Sequence, residues 1–150
     1  MDVYELSKDA NEELREKITQ LFMQQISMHG EKDSYQHVRN GIDQVLDDDS
    51  RSRILIAEDK GEILGMALLN IGISLRDGGK YVWLNELYVH NEYRNKGIGR
   101  KLLLYIIYWA ETEQIKTIEL ETGVSNSVTK HLYNSLGFYD VVSKRYGFRF

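Results

Sequence analysis

Residues 84–103 read "LNELYVHNEYRNKGIGRKLL", and the fold turns on them. The stretch opens as a β-strand rich in β-formers, from "KYVWLNELYV" at 80–89. It passes through a turn with Gly97 and Gly99, then becomes an apolar helix, "RKLLLYIIYWA", that is expected to run to about Glu113. A further short strand, "KTIELET" at 116–122, completes a β-turn-α-β unit. Its glycine turn lies at the carboxyl end of the first strand, where open α/β sheets usually bind ligands. The start of a helix has N–H groups without intrahelical acceptors and the positive end of the macrodipole. Arg94, Lys96, Arg100 and Lys101 add charge around it. The stretch is therefore an anion cradle, and the identity of the anion is the question.

Working outward, Leu14, Ile18, Leu21, Phe22 and Ile26 recur at helical spacing and predict a first helix ending near Gly30. Tyr35, Val38, Ile42, Val45 and Leu46 predict a second over about 33–47. "RILIAE" (53–58) and "ILGMALLNIGIS" (63–74) are strands joined by the turn "EDKGE", and "RDGG" (76–79) marks a hairpin into residue 80. A helix over 126–136, stopped by Gly137, and two short strands in "FYDVVSKRYGFRF" close the chain. The expected order is ααβββαβαββ, a mixed α/β fold in one domain spanning residues 1–150.

Composition narrows the function classes. The hydrophobic share of 42% and charged share of 28% suit a globular protein. No apolar run approaches the roughly 20 residues of a membrane span, and the acidic, polar start is unlike a signal peptide. Cysteine is absent, which removes disulfides, thiolate metal sites and an acyl-cysteine intermediate, and is compatible with a cytoplasmic location. The four histidines show no ligand spacing: His90 and His131 stand apart, so no metal is expected. The net charge of −4 is uneven. Residues 1–62 carry eight Lys/Arg against fifteen Asp/Glu, and residues 63–150 eleven against eight. A basic second half suits an anionic cofactor, and no basic face with interleaved aromatics suggests nucleic acid.

The turn itself fits neither common phosphate loop. A Walker A loop ends in Gly-Lys-Ser/Thr, and "GIGRKL" lacks the hydroxyl. A dinucleotide fingerprint has a third glycine where Leu102 stands. What remains is Arg-x-x-Gly-x-Gly, from Arg94 to Gly99.

That hexapeptide after "LNELYVHNEY", followed by "ETGVSNSVTKHLYNSLGFYDV" at 121–141, resembles the GNAT superfamily of acetyl-coenzyme A-dependent N-acetyltransferases. The ending "RYGFRF" and the small size are similar to polyamine-type and other small-amine acetyltransferases, a weaker likeness. The resemblance implies that Arg94, Asn95, Lys96, Gly97, Ile98 and Gly99, with Arg100, cradle the pyrophosphate of coenzyme A. It implies that the fourth and fifth strands of such a sheet splay, so that the cofactor arm bonds backbone groups of Leu87, Tyr88 and Val89. A backbone N–H near Val89 would then face the thioester oxygen. Tyr133 matches the general-acid position, and packing against Leu132 and Leu136 is its other reading. Asn126 matches a cofactor-arm contact and equally a helix N-cap. Glu86 alternates with Leu84 and Tyr88, with Asn85 expected on the opposite face. It is the candidate general base, with substrate binding or a structural hydrogen bond as alternatives.

The implied reaction is direct attack of a primary amine on acetyl-coenzyme A within a ternary complex, because no cysteine is available. The first two helices and their loop line the acceptor side in the family. Here that segment holds Glu31, Asp33, Asp43 and Asp47–Asp48–Asp49, which favours a small cationic acceptor. A protein lysine or N-terminal acetyltransferase and a catalytically silent acetyl-coenzyme A-binding module are the competing readings. Members of the family are often dimers, and "RYGFRF" is a candidate interface strand.

Overall fold

Local chemistry sets the element ends. The computed structural model describes residues 1–26, 34–122 and 127–150. Helix α1 (Glu12–Ile26) starts where the Asn11 Oδ1 accepts from the Leu14 N–H at 2.9 Å, with Glu12 and Glu13 in its first turn. Helix α2 (Ser34–Val45) follows. Strands β2 (Ser52–Asp59) and β3 (Glu62–Ser74) form a hairpin through Lys60 and Gly61, both at positive φ. Two such residues make the turn whose twist matches its strands. Strand β4 (Gly79–Val89), helix α3 (Ile98–Thr112) and strand β5 (Thr117–Leu120) make the crossover unit, and α4 (Ser127–Ser135) comes last.

Five strands form one sheet in the order β1-β2-β3-β4-β5, where β1 is Asp2–Glu5. All neighbours are antiparallel except β4 and β5, which are parallel. One face packs α3 over Leu55, Ala67, Leu69, Val82 and Leu84, with Leu102, Leu103 and Ile106 fully buried. The other packs α1 and α2, through Ile18, Leu21 and Ile42, over Ile54, Ile56, Met66 and Tyr88.

The mixed α/β sheet is as expected, and the element order differs at both ends. The order is βααβββαβα. Residues 2–5, too polar to read as a strand, pair with β2 from Asp2 opposite Glu58 to Glu5 opposite Leu55. The two strands expected in "FYDVVSKRYGFRF" do not form. Tyr139, Val142, Tyr146, Phe148 and Phe150 are exposed there, and Arg145 pairs with Glu121. β-Propensity expresses fit to a pleated, half-buried surface, and these side chains have none beneath them. The α1 end near Gly30, the α2 start at Asp33 and the Asn126 cap lie outside the described residues.

Candidate functional site

The ladder between β3 and β4 changes register once. Leu84 lies opposite Leu69 and Glu86 opposite Leu68, which leaves Asn85 as an extra, bulged residue. The parity of the strand flips there. Val82 and Leu84 point into the α3-side core, and so do Leu87 and Val89. Tyr88 joins the α1/α2-side core, and Glu86 shares that face because its partner Leu68 packs there. Glu86 therefore sides with Tyr88 and not with Leu84. Asn85 does not take the opposite face either: its Oδ1 accepts from the Asn70 Nδ2, and Asn70 also bonds Ser52. This amide ladder runs along the Glu86 face.

β5 accompanies only the first half of β4. Their pairing runs from Tyr81 opposite Thr117 to Leu84 opposite Leu120 and stops there. Beyond it, the His90 N–H donates to the Leu64 carbonyl at 2.8 Å. By the alternation of an antiparallel ladder, the Leu87 and Val89 main-chain groups then point away from β3, toward the gap beyond β5. One of them, the Val89 carbonyl, accepts from the Arg94 Nε at 3.3 Å.

The turn after Val89 is built for close approach. Asn91–Tyr93 form a 3-10 turn, Arg94 is extended, Asn95 has φ 63° and Gly97 φ 79°. Gly97 caps α3 without a side-chain bond, so the N–H groups of Ile98, Gly99 and Arg100 face outward unclaimed by a cap. Gly99 is helical, and a Cβ there would stand 3.8 Å from the Val89 Cγ2. The Arg94 guanidinium lies 5.3 Å from the Tyr88 ring centre, and the Lys96 ammonium 5.3 Å from that of Tyr93. Arg100 reaches back instead, donating to the Ser135 Oγ at 3.1 Å and tying α3 to α4.

Tyr133, on α4, packs on the α3-side core with Leu132 and Leu136, its ring 5.8 Å from that of Phe138. Burial pushes its phenol above the ordinary value, and burial likewise raises the half-buried Glu86 carboxyl. Among the described residues, neither the Tyr133 hydroxyl nor Glu86 has a hydrogen-bond partner. The candidate acid and base thus lie on opposite faces of the sheet.

Of the acidic residues expected to line the acceptor side, Asp43 and Asp47–Asp49 are described. Asp43 is paired with Arg15 at 2.9 Å and Arg39 at 3.2 Å. Ser52 is level with Trp83, whereas Ala57 and Gly65 are level with Val89. Ser52, the start of β2, is thus roughly 17 Å down the sheet from the level of Val89, and Asp47–Asp49 come just before it in the chain. Glu31, Asp33 and Asn126 fall outside the described residues.

Two residues of the site carry no sequence motif. The Gln24 Oε1 accepts from the Tyr88 hydroxyl and the Asn91 N–H, both at 3.2 Å, and so joins the last turn of α1 to the end of β4. Gly65 faces the start of α3: a Cβ there would stand 3.1 Å from the Leu102 Cδ1 and the Tyr88 carbonyl, and 3.2 Å from the Ile98 Cγ2. A glycine inside an apolar strand is the one signal that marks it. Among the described residues no group of three His, Cys, Asp or Glu is placed to hold a metal. No described helix is long and apolar enough to cross a membrane.

The model of the acetyltransferase (GNAT) family matches residues 11–138. An L-amino acid N-acyltransferase, MnaT, of Escherichia coli is 32% identical over 87 residues, covering 57% of this chain and 49% of that protein. A ribosomal protein bS18-alanine N-acetyltransferase of Salmonella typhimurium is 36% identical over 62 residues, 41% of this chain and 42% of its own. The chain thus covers less than half the length of these curated relatives. A solved structure described as a probable acetyltransferase superposes with a TM-score of 0.84 over 100% of this chain and 98% of its own. Its identity of 22% speaks for the fold alone.

Proposed function

Since the chain belongs to the acetyltransferase (GNAT) family, we propose that it transfers the acetyl group of acetyl-coenzyme A to a primary amine of a small acceptor. The observation that carries this reading is the second half of β4. It has lost its parallel partner, turns main-chain groups outward at Leu87 and Val89, and ends against the uncapped start of α3. A pyrophosphate fits the Ile98, Gly99 and Arg100 N–H groups, flanked by Arg94 and Lys96. The arm of coenzyme A would lie along Leu87–Val89, with the Val89 N–H toward the thioester oxygen. A preorganised donor to a developing oxyanion is worth about 2.7–4 kcal/mol of barrier.

An alkylammonium must lose its proton before its nitrogen can attack. Glu86, raised by burial, is a stronger base than an exposed carboxylate and is our candidate to take that proton. The amine nitrogen bonds the acetyl carbon as the carbon–sulfur bond breaks, and Tyr133 gives its phenolic proton to the departing thiolate. The acylated nitrogen then loses its extra proton to solvent, and the phenolate regains one from solvent. The phenol is protonated at neutral pH and so has a proton to give, although burial makes it a weaker acid than a free tyrosine. The positions on opposite faces fit this division: amine from the α1/α2 side, thiolate toward α4. With no cysteine in the chain, both substrates are present together. Intersecting initial-velocity lines are expected, and parallel ones would overturn the ternary complex.

Thiol release from acetyl-coenzyme A against polyamines, aminoglycosides, amino acids and lysine peptides tests the reading. Silence across the panel with coenzyme A bound would overturn it in favour of a binding module. The relative named for the alanine of a ribosomal protein favours a second reading, a protein N-terminus as acceptor. A peptide beginning with alanine belongs in the same panel. Exposure of Tyr146, Phe148 and Phe150 supports a homodimer, which light scattering reads directly. The cytoplasm remains the proposed location.

A further inference from the structure

On the Glu86 face the sheet continues toward Trp83 and Tyr81, which are partly buried and belong to neither core cluster. Val82 and Leu84 point into the α3-side core, so Tyr81 and Trp83 point to the Glu86 face. In the parallel pairing Trp83 is level with Glu119, while Ile118 and Leu120 pack on the α3 side. Glu119 therefore stands beside Trp83 on the Glu86 face. Helices α1 and α2 cover Ile54, Ile56, Met66, Leu68 and Tyr88 on this face, and their cluster includes neither Tyr81 nor Trp83.

This floor has a defined shape. Tyr81 lies opposite Gly72, where a Cβ would stand 2.6 Å from the Tyr81 Cε1, so the ring crosses β3 flat against its backbone. Trp83 is half-buried beside it, and the Ser52–Asn70–Asn85 amide ladder borders it on the way to Glu86. Glu119 is exposed and, among the described residues, has no ion-pair partner, whereas Glu121 is taken by Arg145.

We propose that Trp83 and Glu119 determine acceptor specificity: they select an amine whose body carries a second positive charge, as in a linear diamine. The proposal rests on the acetyltransferase reading above. An indole face attracts a cation lying over it, and a neighbouring carboxylate holds that cation in place. Trp83 and Glu86 are three residues apart on the strand, a span of roughly 10 Å. The reacting amine at Glu86 and the second charge at Glu119 are therefore well separated, which suits an extended chain between them. An α-amino acid would bring its carboxylate toward two negative side chains. This site, and not the Asp47–Asp49 run, supplies the preference for a cationic acceptor.

Calorimetric titration of the coenzyme A-saturated protein with diaminooctane, octylamine and leucine tests this without requiring turnover. The protein is expected to bind the diamine about tenfold more tightly than the monoamine, combining a cation–π contact with a carboxylate partner. Glu119→Gln, an exposed change of nearly equal shape, is expected to remove about fivefold of that ratio. Trp83→Leu should lower the ratio too, and Trp83→Phe should retain part of it. Equal affinities for the two amines, a ratio unmoved by Glu119→Gln, or tighter binding of leucine would each overturn the proposal. Diamine selectivity without thiol release would overturn the acetyltransferase reading and leave the floor standing. Thiol release without diamine selectivity would overturn the floor alone.

Discussion

Gly65 and Gly99 lie on the two sides of one contact, and changing each to alanine separates what holds α3 from what α3 holds. In Gly65→Ala the new methyl meets Leu102 and the Tyr88 carbonyl at 3.1 Å and Ile98 at 3.2 Å. Leu102 is fully buried and Ile98 nearly so, and the third neighbour is backbone, so none is a free-swinging side chain. The start of α3 must move outward by a few tenths of an ångström. Overpacking of this kind costs about 1–3 kcal/mol, which for a chain of this size lowers Tm by about 2–12 °C. The displaced helix start should also weaken coenzyme A binding. Gly99→Ala differs: its methyl is 3.8 Å from Val89, an ordinary contact, within helical backbone. It should hold or raise stability by up to about 1 kcal/mol. Yet it places a methyl on the first turn, where a pyrophosphate would come closest, so coenzyme A affinity should fall. Differential scanning calorimetry and coenzyme A titration on both variants give the pair of readouts. An unchanged Tm for Gly65→Ala, or wild-type coenzyme A affinity for Gly99→Ala, would refute the reasoning.

Tyr133→Phe is expected to lower kcat by about a hundredfold, the scale of one general-acid contribution, with KM little changed; an unaltered kcat would assign Tyr133 to packing alone. For Glu86→Gln, the acid limb of kcat/KM in the wild type should lie above the ordinary glutamate value of about 4.3 and vanish in the variant. Stability should move the other way. Burial raises the folded-state pKa of Glu86, so the native state binds this proton more tightly than the unfolded chain. Stability is therefore lost as pH rises from the unfolded value through the folded one. Glu86→Gln should thus have the higher Tm at neutral pH, with the gain gone in acid where the wild type is itself neutral. Asp47, Asp48 and Asp49 together changed to Asn should leave acceptor KM and its salt dependence unaltered, as their distance down the sheet from Val89 requires.

Much of this molecule was written in short-range pattern. The strand, glycine turn, helix and strand from residue 79 to 120 follow from β-formers, from Gly97 and from an apolar helical repeat, each legible within a few positions. The proposed anion cradle was legible for the same reason, since it would be made of main-chain N–H groups at a helix start. Tertiary structure decided everything that depends on counting across a ladder. The bulge at Asn85 flips the strand, and only the pairing with Leu68 and Leu69 reveals that Glu86 and Asn85 share a face. Strand direction placed Asp47–Asp49 at the far end of the sheet and set Glu119 beside Trp83. The polar residues 2–5 became a strand because an edge of β2 was open to them, and the β-prone residues 139–150 did not because no surface received them. Local pattern fixes what a segment can be. Its partners, which lie far away along the chain, decide which face it shows and whether it forms at all.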